Sequence, residues 1–428
     1  MTDLQPPSIY DVYEPALPLL SVFVFIIGTF FGSFFNVCIW RIPLGESIIL
    51  PTSRCPKCSY EIQWYENIPI LSWLLLRGRC SQCHTRISSR YLIIEAVTGI
   101  LFLLIWFRLW DEHWPIPVLF AFWFIAGSLV VITFIDLKHF IIPDEVTLTG
   151  LAAAIVYGLL FPSTHVYGHT AGNLAHRMEG HPITYVFSEI IAASYPSIYE
   201  SPRMLAALDI FLGIVLGAGI LWLIGEIGKL IWGRKKHTRQ DPVTMRLSTT
   251  GFEIVEEPGP VSWDDVLVRD TDVLRIHAET IRWQSVRGEE ASTELCRNGD
   301  TGTTLVTVDR DGLRDGDRRI ALSDLAGAEI LTRKWIEPRE AMGFGDVKLV
   351  GMLGAFLGPE AAMLILCTAS VFGSAYGVFL GVSSIVRRRA KWQSHIPFGP
   401  FLAAAGLLYL MTGTALFDRL FGNGTPLQ

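Results

Sequence analysis

Charge is scarce in this chain. Only 18% of its 428 residues are Asp, Glu, Lys or Arg, against about a quarter in ordinary soluble domains. That shortage excludes a solvated globule as the whole of the molecule. Lysine and arginine are missing altogether from residues 1–40, so the first apolar segment has no basic stretch before it. No small-residue cleavage site follows, and the segment reads as an anchor rather than a removed signal peptide. No internal repeat is present, which counts against the repeat-built transporters. A G-x-G-x-x-G loop of the dinucleotide-binding kind is also lacking.

What is present is apolar. Half the chain is hydrophobic, mean hydropathy is +0.39, and there are 25 Phe and 13 Trp. Eight runs approach the roughly 20 apolar residues that cross a bilayer as a helix. They are Leu17–Trp40, Tyr91–Leu109, Ile116–Ile135, Val146–Phe161, Met204–Trp232, Val347–Leu357, Ala361–Val386 and Ile396–Phe417. The expected fold class is an all-α polytopic membrane protein with about eight transmembrane helices. It carries a small cytoplasmic zinc-binding lobe and a β-rich soluble insert. The sixth run is too short to span alone, a length tolerated where protein covers the helix.

Basic residues set the orientation. Seven lie between Arg41 and Arg90, and further clusters follow the fifth and seventh runs at Arg234–Arg239 and Arg387–Lys391. The loop 162–203 has only Arg177 and Arg203. Eight crossings with both termini outside put every basic cluster in the cytoplasm. The expected organisation is then an outside N-terminus and first helix (1–40), a cytoplasmic four-cysteine lobe (41–90), and helices two to five (91–236) with the long external loop. A cytoplasmic insert (237–338) and the last three helices (339–428) follow.

Two aspartates stand where apolar runs meet water. Asp136 closes the third run, and Asp346 ends Gly343-Phe-Gly-Asp346 and opens the sixth. An acid at the membrane edge costs free energy, so such residues are functional candidates by default. Two of them, distant in sequence, suggest one carboxylate site built from two helices, as an intramembrane aspartic peptidase needs. Forced together, two carboxylates share a proton, leaving one as base and one as acid. Gly343 and Gly345 let backbone approach closely. Lys348 is placed near Asp346, and Asp144 follows Pro143 at a helix start, where an acid complements the helix dipole. A polytopic scaffold or transporter with buried acids is the competing reading from another class.

Cysteine gives a second signal. Cys55-Pro-Lys-Cys58 and Cys80-Ser-Gln-Cys83 lie in the lobe assigned to the cytoplasm. Paired C-x-x-C turns at this spacing read as a four-thiolate zinc site, structural because no position stays open for water. His165, His169, His176 and His181 in the 162–203 loop have irregular spacing and read as a chance cluster. The insert is polar and acidic enough to account for the whole net charge of −6, which argues against nucleic-acid binding. Strand-like runs within it are Phe252–Glu256, Val273–Trp283, Thr303–Asp309, Arg319–Leu322 and Ala328–Lys334, with turns at Asp311-Gly312 and Asp315-Gly316.

Taken together, the chain resembles the type IV prepilin peptidases. The likeness runs through Gly32–Pro43, both cysteine pairs, Asn67-Ile-Pro69, Ile87–Tyr91, Asp136 with Ile142-Pro143-Asp144, Gly343–Leu349 and Pro397–Phe401. The resemblance implies that Asp136 and Asp346 are the catalytic pair of a bifunctional prepilin leader peptidase and N-methyltransferase. It implies prepilin or pseudopilin substrates, S-adenosylmethionine as methyl donor, and an inner-membrane site at the cytoplasmic face. A peptidase without methyl transfer is the nearest variant. The long insert departs from the family pattern, and docking to secretion or pilus machinery is one role for it.

Overall fold

The computed structural model describes residues 14–111, 114–162, 201–232, 235–255, 259–267, 272–282, 304–316, 318–325, 327–337, 343–386 and 397–413. The four histidines of the 162–203 loop and the basic cluster Arg387–Lys391 lie outside these residues. The chain divides into two units, Met1–Trp222 with Phe344–Gln428, and Leu223–Gly343.

Helices occupy all eight apolar runs. They are α1 (Leu17–Arg41), α2 (Arg90–Asp111), α3 (Ile116–His139), α4 (Asp144–Leu160), α5 (Pro202–Trp232), α6 (Phe344–Leu357), α7 (Pro359–Val386) and α8 (Gly399–Thr412). Among the described residues, five of the helices, α1, α2, α3, α5 and α7, are long and apolar enough to cross a membrane. The others hold 17, 14 and 14 residues. Backbone punctuation sets those lengths: Pro143 precedes α4, and Gly358 with φ +87° separates α6 from Pro359.

Apolar side chains point outward from several helices while small ones point in. On α1, Phe23, Phe30 and Phe34 are exposed, whereas Gly28, Thr29, Gly32 and Asn36 are buried. Lipid is as apolar as leucine, so helices associate there through close packing of small residues. A Cβ on Gly28 would lie 2.8 Å from Gly99 Cα, and one on Gly32 would lie 2.6 Å from Glu95 Cα. The α1–α2 contact therefore excludes any larger residue at these points. The centre belongs to α3, where Ile125, Ala126, Leu129, Ile132 and Ile135 are wholly buried. Leu349, Val350, Met352 and Leu353 on α6 are buried as completely. Beyond its exposed first residue, Phe344, protein covers most of this short helix, as a helix of its length requires.

The second unit holds an antiparallel sheet in the order β3-β2-β1-β8-β4-β5-β6-β7. Its strands are β1 (Lys235–Leu247), β2 (Gly251–Ile254), β3 (Val261–Ser262), β4 (Leu274–Arg282), β5 (Thr304–Asp309), β6 (Gly312–Asp315), β7 (Arg318–Ile320) and β8 (Ala328–Glu337). Alternating residues of one face, including Met245, Phe252, Ile276, Val306 and Trp335, form its apolar core. Between β5 and β6, Asp309 Oδ1 accepts the N–H groups of Asp311 and Gly312 at 2.9 and 3.0 Å. The first and last strands pair from their outer ends, Lys235 opposite Glu337.

Neither β1 nor β6 was expected from the sequence. Lys235, Lys236 and Arg239, read as a loose basic cluster, belong to β1. Its register with β8 also jumps between Thr238 and Val243. Pro242 falls in that jump; it has no N–H for the ladder, so proline is confined to such irregular or edge positions.

Candidate active site and metal centre

Asp136 lies one turn from the C-terminus of α3 and is buried, 5% exposed. A carboxylate there opposes the helix dipole, and burial adds a desolvation cost. Both penalties are offset from α8. Gly399, the first residue of α8, donates its backbone N–H to Asp136 Oδ2 at 3.1 Å. The first N–H groups of a helix lack intrahelical acceptors and carry partial positive charge. A Cβ at position 399 would overlap that same oxygen, so a larger residue there would displace the carboxylate. Phe140, with φ +56°, closes α3 by donating its N–H to the Asp136 carbonyl at 2.9 Å.

Asp346 is the third residue of α6, 8% exposed, and sits where the helix dipole favours an acid. One side chain links its surroundings to those of Asp136. A Cβ on Gly345 would lie 2.8 Å from Ile142 Cβ, and one on Gly399 would lie 3.1 Å from Ile142 Cδ1. Ile142 thus packs against both glycines, and the α3–α4 turn, the start of α6 and the start of α8 meet around it. Gly343 directly precedes α6. Sequence reasoning valued Gly345 for close backbone approach, and the structure supplies the neighbour. It did not single out Gly399 or Ile142, although both stand in quoted motifs.

Lys348 and Asp144 form an ion pair of 2.6 Å, and the ammonium also lies 5.0 Å from the Phe344 ring centroid. The pair joins the first turn of α4 to α6. It is partly exposed, so its value to stability falls in the range of about 0–1 kcal/mol.

The four cysteine sulfurs lie within 4.8 Å of one another. Cys55 Sγ is 3.8 Å from Cys83 Sγ, and Cys58 Sγ is 4.0 Å from Cys80 Sγ. Four Zn–S bonds of about 2.3 Å arranged tetrahedrally set sulfurs about 3.8 Å apart, so the donor set fits a zinc ion. The two turns repeat one geometry. Ser59 and His84, each just after a pair, have φ +56° and +53°. Each donates its N–H to the first cysteine's carbonyl, at 2.9 and 3.0 Å. The backbone N–H groups of Cys58 and Lys57 hold the Cys55 thiol below its usual range, whereas Cys58, despite a backbone bond from Tyr60, is pushed up by desolvation and the neighbouring thiols. His84 is not among the grouped metal donors.

Glu95 binds the lobe to the bundle. It is buried on α2, accepts the Ile70 N–H at 2.7 Å, and packs its backbone against Gly32 of α1. Ile70 has φ +62°, a conformation that bulky residues avoid unless their surroundings enforce it.

Comparison with known proteins gives these features a context. Residues 26–109 match the bacterial peptidase A24 N-terminal domain and residues 322–378 the type IV leader peptidase family. The four cysteines and Glu95 fall in the first match and Asp346 in the second; Asp136 lies between them. A prepilin leader peptidase/N-methyltransferase of Myxococcus xanthus is 38% identical over 211 residues, 48% of this chain and 57% of the relative. Proteins of the same description are 30% identical in Dichelobacter nodosus (49% of this chain, 84% of the relative) and in Aeromonas hydrophila (92% and 91%). The chain thus spans little more than half of the Myxococcus relative and most of the other two. No solved structure matches.

Proposed function

The chain belongs to the prepilin leader peptidase/N-methyltransferase family, and on that premise we propose that it removes the leader of prepilins or pseudopilins and methylates the new N-terminus. Asp136 and Asp346 are the proposed catalytic pair. The observation that carries this reading is the burial of both acids, with Ile142 packed against a glycine beside each chain segment. One acid ionised and one protonated is the state that close carboxylates adopt. The ionised acid takes a proton from water as the oxygen attacks the scissile carbonyl. The protonated acid donates to the carbonyl oxygen; as the gem-diol collapses, the acid that took water's proton passes it to the departing amine, and a diol hydroxyl proton returns to the other carboxylate.

The proposed site lies at the cytoplasmic face of the inner membrane. Zinc bound by Cys55, Cys58, Cys80 and Cys83 would hold the lobe's two turns together. S-adenosylmethionine would supply the methyl group. The insert is proposed as a cytoplasmic module apart from this chemistry, available to secretion or pilus machinery.

The test is cleavage of a model prepilin in membranes by wild type, Asp136→Asn and Asp346→Asn, with mass analysis of the product's N-terminus. Both variants are expected to lose at least about 10³-fold in rate. Wild-type-like cleavage by both would overturn the assignment and favour a scaffold or transporter. Cleavage by wild type without an added methyl would leave a peptidase alone.

A further inference from the structure

The four-cysteine lobe contains a five-residue helix whose amphipathicity is reversed. In Leu71–Leu75 the hydroxyl of Ser72 is turned inward and donates to the Tyr65 carbonyl at 3.0 Å. Leu71, Leu74 and Leu75 face outward, 49%, 54% and 73% exposed. Trp64, immediately before the acceptor Tyr65, is 80% exposed, and Tyr65 itself is 55% exposed. A contiguous apolar surface of this kind on a water-facing lobe would be a liability.

Its depth explains it. Ile70, directly before the helix, is bound to Glu95, and the backbone of Glu95 packs against Gly32 of α1. Gly32 lies nine residues before Arg41, the last residue of α1, a descent of about 13 Å along the helix. Asn36 gives an independent level: it donates to the Tyr91 carbonyl at 3.2 Å, so α2 also begins below the end of α1. Each polar layer of a bilayer is about 5–7 Å thick. Five helical residues rise about 7.5 Å at most, too little to return from the Gly32 level to that of Arg41.

We propose that Leu71, Leu74 and Leu75, flanked by Trp64 and Tyr65, are immersed in the lipid at the boundary between headgroups and acyl chains. The four-cysteine lobe is then a membrane-inserted cap, held at its depth by Glu95. Leucines at i, i+3 and i+4 make one apolar stripe, and aromatic rings with a polar edge favour this zone. The inference does not depend on the chemistry proposed above.

Photolabelling tests it on the full chain. Wild-type protein in nanodiscs carrying a diazirine near the glycerol end of an acyl chain is irradiated, digested and mapped by mass spectrometry. Labelling of the 71–75 peptide is expected at least about tenfold above that of the sheet peptide 304–316, and comparable with lipid-facing parts of α1. Labelling no higher than 304–316 overturns the proposal. So does labelling that vanishes when a hydrophobic prepilin segment is added, because the face would then be a substrate dock. The double variant Leu74→Asp with Leu75→Asp should lose the label while keeping its zinc. Retained labelling in that variant would show that the leucines do not set the depth.

Discussion

The two candidate sites are built over different lengths of chain. The four cysteines lie within residues 55–83, and each pair closes its own turn with the same backbone bonds. The two aspartates stand at positions 136 and 346, with the whole sheet unit between them in sequence. A local site draws on a few turns and a metal. The distant one draws on three helix ends, and its parts have no reason to meet until the bundle has formed. Damage to the first should stay local, whereas small steric changes at the second should be costly.

Gly399→Ala offers the sharpest break. The new methyl would press on Asp136 Oδ2, and misplacing a reacting group by about 1 Å costs on the order of 10²-fold in rate. Cleavage should fall by that much while zinc content is unchanged. Near-normal cleavage would mean that the Gly399–Asp136 contact does not position the acid.

Cys58→Ser should do the reverse. Four-thiolate zinc sites hold small lobes folded, so bound zinc should drop and limited proteolysis should cut within 41–90. Leader cleavage should fall by less than about tenfold. A loss as deep as that of the aspartate variants would show that the two sites are not separable.

Lys348→Met is the mildest change. Removing a partly exposed pair should cost no more than about 1 kcal/mol in thermal or denaturant unfolding. A loss of several kcal/mol, or of all cleavage, would place the ammonium in the chemistry rather than at a helix clip.

The same division explains what could be read from the sequence. Asp136 and Asp346 stood out because an acid is conspicuous beside a long apolar run, and the cysteines because their spacing is itself the geometry. Helices lie where the apolar runs lie because lipid and buried protein both demand satisfied backbone. Gly399 and Ile142 act through contacts made across the fold, at 263 and 203 residues' distance from the partners they touch, which no local pattern encodes. Strand β1 was missed for a different reason. Lys235-Lys236-His237-Thr238-Arg239-Gln240-Asp241-Pro242 has almost no apolar alternation, and it is ordered by pairing with β8 on one side. β6 was hidden between two turn signals, Asp311-Gly312 and Asp315-Gly316, that were correctly placed but too close together to suggest a strand.

The pairing of Lys235 with Glu337 has an evolutionary consequence. Opposed residues of an antiparallel ladder have Cα atoms about 5 Å apart, which a short turn can bridge. A domain whose entry and exit are hydrogen-bonded neighbours can be spliced into a loop, or removed from it, with little demand on the helices it joins. The sheet is therefore a cassette: lineages can gain it, lose it or exchange it while the membrane part keeps its form.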